Sequence, residues 1–172
     1  MGAAQAEARQ GFGDGVALKI RIAALGQRMP AWVDAAVDDY LRRLPRAFAA
    51  ELVELKPEPR ERGKTVPQML AAEARRIADA TEGWRTIALD ERGQPWTTAR
   101  LAQRLAQGRE RAESLVFVIG SADGLAQEVK RNADVIVSLS ALTLAHGVAR
   151  VMLAEQLYRA ASMLAGHPYH RA

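Results

Sequence analysis

The chain has no cysteine. That absence excludes a disulfide framework, a thiolate zinc site and a cysteine nucleophile together. No segment approaches the roughly 18 consecutive apolar residues that a membrane-spanning helix needs. The opening MGAAQAEARQGFGDG lacks the apolar core of a signal peptide, and Ala6 stands where a myristoylation motif requires Ser or Thr. A cytoplasmic protein without a membrane partner is the expectation. Phosphate-binding signatures are missing as well. The run Gly120-Ser121-Ala122-Asp123-Gly124 lacks the G-x-G-x-x-G spacing of a dinucleotide fingerprint, and no Lys-Ser/Thr pair follows it. With no metal-binding acidic pair either, a nucleotide hydrolase has no support.

What is present describes an ordinary globular chain. Of 172 residues, 49% are hydrophobic and 26% charged, enough for one core. A single domain over 18–172 is expected, preceded by a small, polar, Gly-rich leader at 1–17 that reads as disordered. Lys and Arg total 24 against 20 Asp and Glu, a formal charge of +4. The excess favours a polyanionic partner such as nucleic acid, against the plainer reading of a solvated basic face. Most of the cations are Arg, whose planar fork suits bidentate phosphate contacts.

Period and punctuation divide the chain into alternating elements. Leu18–Leu25 reads as a first strand. Pro30 opens a helix with Val33, Ala36, Val37, Tyr40, Leu41 and Leu44 on one stripe, and Pro45 stops it. Glu51–Leu55 follows as a short strand, and Lys56–Lys64, rich in charge and Pro, as a mobile surface loop that either only links or acts as a lid or RNA-touching arm, with Arg60, Arg62 and Lys64 facing phosphate. Pro67–Ala80 is a weaker helix, and Arg85–Leu89 a third strand with a turn at Glu91–Pro95. Thr97 or Thr98 caps the helix carrying Leu101, Ala102 and Leu105. Leu115–Ile119 is apolar enough for a central strand buried on both faces. A helix to about Asn132 and a strand at Val135–Val137 complete the alternation. Five such units argue for a three-layer α/β/α fold with a mostly parallel sheet.

The most informative stretch is Ser138–Ala160, a hydroxyl- and Leu-rich loop running into a long helix. Val148, Val151, Met152 and Tyr158 fall on one side of that helix, and Leu153, Leu157, Ala160, Ala161 and Leu164 on the other. Both sides require burial. One covers the sheet; the second needs either a partner subunit or more of the same chain. Ligands of parallel sheets bind beyond the carboxyl ends of the strands, so Leu89, Gly120–Gly124 and Ser138–His146 should converge. Leu139–Leu144 offers backbone groups between leucines, a lining for a flat apolar ligand or simply part of the core. All three histidines, His146, His167 and His170, fall in the last 27 residues. Only Glu155 lies near them in sequence, so no metal site is read here. General base or nucleic-acid contact fits them better, with Tyr158, Tyr169, Arg159 and Arg171 alongside.

Taken together, FVIG-x-x-x-G, SLSALTL-x-H, R-V-x-L-x-EQLYRA and the closing HPYHR resemble the bacterial 23S rRNA (pseudouridine-N3)-methyltransferase family of the SPOUT class. LRR ahead of Pro45 and TIALD-x-x-G agree, and the likeness runs from about Leu18 to the C-terminus. The resemblance implies a homodimer, a C-terminal trefoil knot and S-adenosylmethionine as cofactor. It assigns the cofactor pocket to Leu89, Gly120 and Leu139, Ser140, Ala141, Leu142, Thr143 and Leu144, and makes the second apolar face of the last helix the dimer seam. The implied substrate is a pseudouridine of 23S rRNA, within the large subunit or whole ribosome. His170, Tyr169, Arg159 and His146 become the catalytic candidates, and Arg150, Arg159, His167 and Arg171 the candidate RNA contacts. The chain departs from the family pattern at Ser121, where a second glycine is usual, and at Ala145, where proline is usual. Those departures leave a rival reading, a ribosome- or RNA-binding protein that keeps the fold without turnover.

Overall fold

The computed structural model describes residues 16–60 and 63–171. The leader read at 1–17 lies outside them except for Val16 and Ala17. Five strands, β1 (Leu18–Leu25), β2 (Phe48–Leu55), β3 (Arg85–Pro95), β4 (Ser114–Ile119) and β5 (Val135–Ser138), form one sheet in the order β2-β1-β4-β3-β5. Every pairing is parallel, so the sheet is wholly rather than mostly parallel among the described residues. The helices are α1 (Ala31–Arg42), α2 (Val66–Thr81), α3 (Thr98–Glu110), α4 (Gln127–Asn132) and α5 (His146–Leu164), followed by a 3₁₀ turn at Pro168–Arg171.

The strand period sorts the core into two sides. Ile20, Ile22, Leu115, Phe117 and Ile87 face α3 and α5, meeting Leu105, Leu153 and Leu157. Their alternates Ala23, Val116, Val118 and Ala88 face α2 and α4, meeting Ala74, Ile77 and Val129. Sequestering both faces is why β4 reads as continuously apolar. Each fully buried Leu, Ile or Phe contributes roughly 1.5–3 kcal/mol. Helix starts are fixed locally: Thr65 and Gln68 form a reciprocal capping box on α2, and Thr97, not Thr98, caps α3 by accepting the Arg100 N–H.

Three boundaries differ from the sequence reading. Helix α1 ends at Arg42, short of Leu44. Strand β2 starts at Phe48 because Ala47 and Phe48 pair with the start of β1 before the Glu51–Leu55 run begins. Glu91–Pro95 is not a simple turn. Strand β3 pairs with β5 up to Leu89↔Val137, swings out, and returns at Gln94↔Val137 and Pro95↔Ser138. Gly93 makes that return possible, since a Cβ there would sit 2.5 Å from the Val137 carbonyl carbon and 2.7 Å from its nitrogen. Both neighbours are backbone and cannot step aside. Gly93→Ala is therefore expected to destabilise the fold by about 3 kcal/mol or more, read as a lowered urea midpoint.

Helix α5 buries one side against the sheet and only part of the other within the chain. Leu153, Leu157, Ala160 and Ala161 are inaccessible beneath the sheet. Val151 and Ala154 meet Val33 and Val37 of α1. Val148 is 39% exposed and Trp32 beside it 56%. Tyr158, grouped with that outer face in the sequence, is instead buried. The returning tail covers it, with Tyr169 at 4.6 Å between ring centroids and Tyr40 at 6.1 Å.

Candidate active site

The carboxyl ends of β3, β4 and β5 open onto a cavity of about 580 Å³. Its wall carries Leu89, Gly120, Leu139, Ser140, Leu142, Thr143 and Leu144; Ala141 does not line it. Seven of the eight residues assigned to the cofactor thus surround one space of ligand size. Two hydroxyls shape the 139–144 loop. Ser138 Oγ donates to the Ser140 carbonyl at 2.8 Å, and Ser140 Oγ accepts the Leu142 N–H at 2.9 Å. Leu142 is 75% exposed, so this leucine does not complete the core. The Gly120–Gly124 turn is tight for a definite reason: a Cβ on Gly120 would lie 2.5 Å from the Gly124 carbonyl oxygen.

Asp90, just past Leu89, adds a charge that sequence reading missed. Burial raises its pKa, but Lys130 at 2.5 Å and the Arg92 N–H outweigh it and hold the carboxyl below its ordinary value. Its position at the end of TIAL was the available signal.

His146 borders the cavity at the start of α5. Its Nε2 lies 3.2 Å from one Arg150 nitrogen and 3.4 Å from another, so that nitrogen accepts and the ring is neutral. Burial first, and Arg150 second, lower its pKa from 6.5. The fold accordingly binds fewer protons here than the unfolded chain below about pH 6.5. Its stabilising share is complete above that pH and is lost as pH falls through the depressed value. His146→Gln is expected to flatten the decline in melting temperature between pH 7 and pH 5.

Arg150 was expected at RNA; its position corrects that expectation. The side chain is 0% exposed, donating to Glu54 at 2.6 Å and to the Gly26 carbonyl at 2.7 Å. A guanidinium enclosed by the ends of β1 and β2 cannot reach a phosphate. It instead ties the first turns of α5 to the sheet.

The remaining candidates gather at the far end of α5. Arg159 pairs with Glu155 at 2.7 Å, and Tyr169 donates to the same carboxylate at 3.2 Å. Arg159 also lies over the Tyr169 ring at 4.8 Å. Burial, then Tyr40 and Glu155, push the Tyr169 pKa up to about 12. The phenol keeps its proton at neutral pH and acts as a donor. Arg43, from the LRR segment, was missed as a site residue; it stacks over Tyr158 at 4.5 Å and Tyr169 at 5.5 Å. His167 Nδ1 accepts the Tyr169 N–H at 3.3 Å. The His170 and Arg171 side chains lie outside the described residues.

The two groups are separate within one chain. From His146 to Arg159 the helix advances about 20 Å at roughly 1.5 Å per residue. Joining them is an apolar groove of about 720 Å³ that shares Leu89 and Leu139 with the cavity and continues past Trp32, Trp96, Val148 and Met152 to Glu155.

A parallel α/β sheet with a cavity of ligand size at its carboxyl edge, walled by a glycine turn and a hydroxyl-pinned loop, is the arrangement of the α/β class of small-molecule-binding proteins. Residues 18–170 match the model of the family described as "Predicted SPOUT methyltransferase", and the chain belongs to that family. It is 54% identical over 156 residues to "Ribosomal RNA large subunit methyltransferase H" of Bordetella petrii, covering 90% of this chain and all of that one. The protein of the same name from Burkholderia ambifaria is 47% identical over the same coverage. Among solved structures, a "probable methyltransferase" from Bordetella pertussis Tohama I shares the fold, with a TM-score of 0.56 at 17% identity, covering 84% of this chain and 95% of that one.

Proposed function

We propose that this protein transfers a methyl group from S-adenosylmethionine to N3 of a pseudouridine in 23S rRNA, acting in the cytoplasm on the large subunit or the assembled ribosome. The observation that carries the reading is the convergence of Leu89, Gly120 and the 139–144 loop on one cavity, in a chain half identical to rRNA methyltransferases. The two departures from the family pattern leave that cavity open. Ser121 turns its hydroxyl away to Glu73 at 2.8 Å, and Ala145 still begins α5 in an extended conformation. This favours the enzyme over the non-catalytic rival.

The cavity residues would hold the cofactor, which supplies an electrophilic methyl on a sulfonium. An imide N3–H is mostly protonated at neutral pH, so its proton must leave as the new N–C bond forms. Of the named candidates, Tyr169 holds its own proton and His146 already accepts from Arg150. His170 is thus assigned as base, with Arg159 and Tyr169 positioning the tail and stabilising negative charge, and His167 and Arg171 at the RNA.

A homodimer through the groove accounts for the separation of tail and cavity, because a second copy seated along α5 can bring its tail to the first copy's cofactor. Membership of the SPOUT family supports a C-terminal trefoil knot. Among the described residues no helix is long and apolar enough to cross a membrane. Deleting the gene and digesting the rRNA for mass spectrometry tests the reading: one methyl on a 23S pseudouridine should disappear, and its persistence would overturn it.

A further inference from the structure

Glu73, midway along α2, is a carboxylate that neither the cavity nor the tail uses. It is only 3% exposed. One oxygen accepts the backbone N–H of Glu58 at 2.9 Å, and the other accepts the hydroxyl of Ser121 at 2.8 Å. Burying a carboxylate between two neutral donors is costly unless both bonds are kept. The two donors come from separate segments. Ser121 stands in the Gly120–Gly124 turn that walls the cofactor cavity. Glu58 stands in the charged loop after β2. The same two segments meet again through Arg60 and Asp123 at 2.8 Å, and Asp123 also lines the cavity. On its other side the loop is fastened to α2, where Arg76 bonds the Lys56 carbonyl at 2.9 Å and the Glu58 carboxylate at 2.6 Å.

We propose that Glu73 is a positioning residue for the cofactor turn, holding Ser121 in place and coupling cofactor occupancy to the order of the Lys56–Arg60 segment. The inference rests on the cavity being the S-adenosylmethionine site. The position that departs from the family pattern is thereby the contact point of a built device: the Ser121 hydroxyl supplies the bond to Glu73. Coupling of this kind is reciprocal, so whatever affinity the tie adds for the cofactor, the cofactor returns as protection of the loop.

Titration calorimetry with S-adenosylmethionine, paired with amide exchange at Glu58, tests this on the full chain. The wild type should bind, and binding should slow exchange at the Glu58 amide. Ser121→Ala should weaken binding by about fivefold or more and abolish that slowing. Glu73→Gln, which can keep both contacts, should stay within about twofold of wild type. Glu73→Leu should lose as much as Ser121→Ala, and the double variant should be no worse than Glu73→Leu alone. If Glu73→Leu fails to fold, Ser121→Ala still decides. Wild-type affinity and unchanged loop protection in Ser121→Ala would overturn the proposal. Absence of cofactor binding by the wild type would instead overturn the reading of the cavity.

Discussion

Gly120→Ala should reduce S-adenosylmethionine affinity by on the order of 100-fold while leaving most of the sheet folded. The added Cβ would lie 2.5 Å from the Gly124 carbonyl oxygen, 2.6 Å from its carbon and 3.0 Å from Leu125 Cγ. The first two are backbone atoms of the turn itself, so relief requires the 120–124 turn to open. Overpacking strain of this kind costs about 1–3 kcal/mol, and each 1.4 kcal/mol is tenfold in affinity. The strain falls at the cavity wall, beyond the end of β4, and not between strands. That location separates it from Gly93→Ala, whose strain falls on the β3–β5 crossing. Calorimetry for binding and circular dichroism for folding distinguish the two; an alanine at 120 that binds cofactor normally would mean the turn is not part of the site.

His170→Ala should slow single-turnover methylation of ribosomes by about 10²–10⁴-fold, with cofactor affinity unchanged. Tyr169 is held against Glu155, Arg159, Arg43 and Tyr158. Tyr169 itself, with a pKa near 12, cannot take a proton at neutral pH. His146 has a basicity lowered by its burial and an occupied Nε2. Full activity in His170→Ala together with loss in His146→Ala would transfer the role to His146.

How legible these features were depends on the range of the interactions behind them. The cavity could be anticipated because parallel sheets bind ligands at their carboxyl ends, and Leu89, Gly120 and Leu139–Leu144 all sit there. The two faces of α5 followed from a 3.6-residue period, yet the pattern could not tell which apolar residue another part of the chain would cover. Tyr158 was covered by a tail returning from Tyr169. Arg150 looked like a solvent-facing cation because its partner Glu54 is 96 positions away. Glu73 resembled any polar residue on an amphipathic helix, and nothing local announced that α2 buries it against the cofactor turn. The Glu91–Pro95 segment reads as a turn because Gly and Pro usually end strands; in the fold Gly93 admits the Val137 backbone instead. Long-range polar pairing and close backbone passage leave little trace in periodicity.

Methyl transfer to a 23S pseudouridine is most directly tested by incubating the purified protein with methyl-labelled S-adenosylmethionine and ribosomes from a deletion strain, then sequencing the labelled rRNA fragment by mass spectrometry. The expected result is one methyl per 23S rRNA, on N3 of a pseudouridine. Ribosome binding without any methyl incorporation, or methylation of a different base, would contradict it.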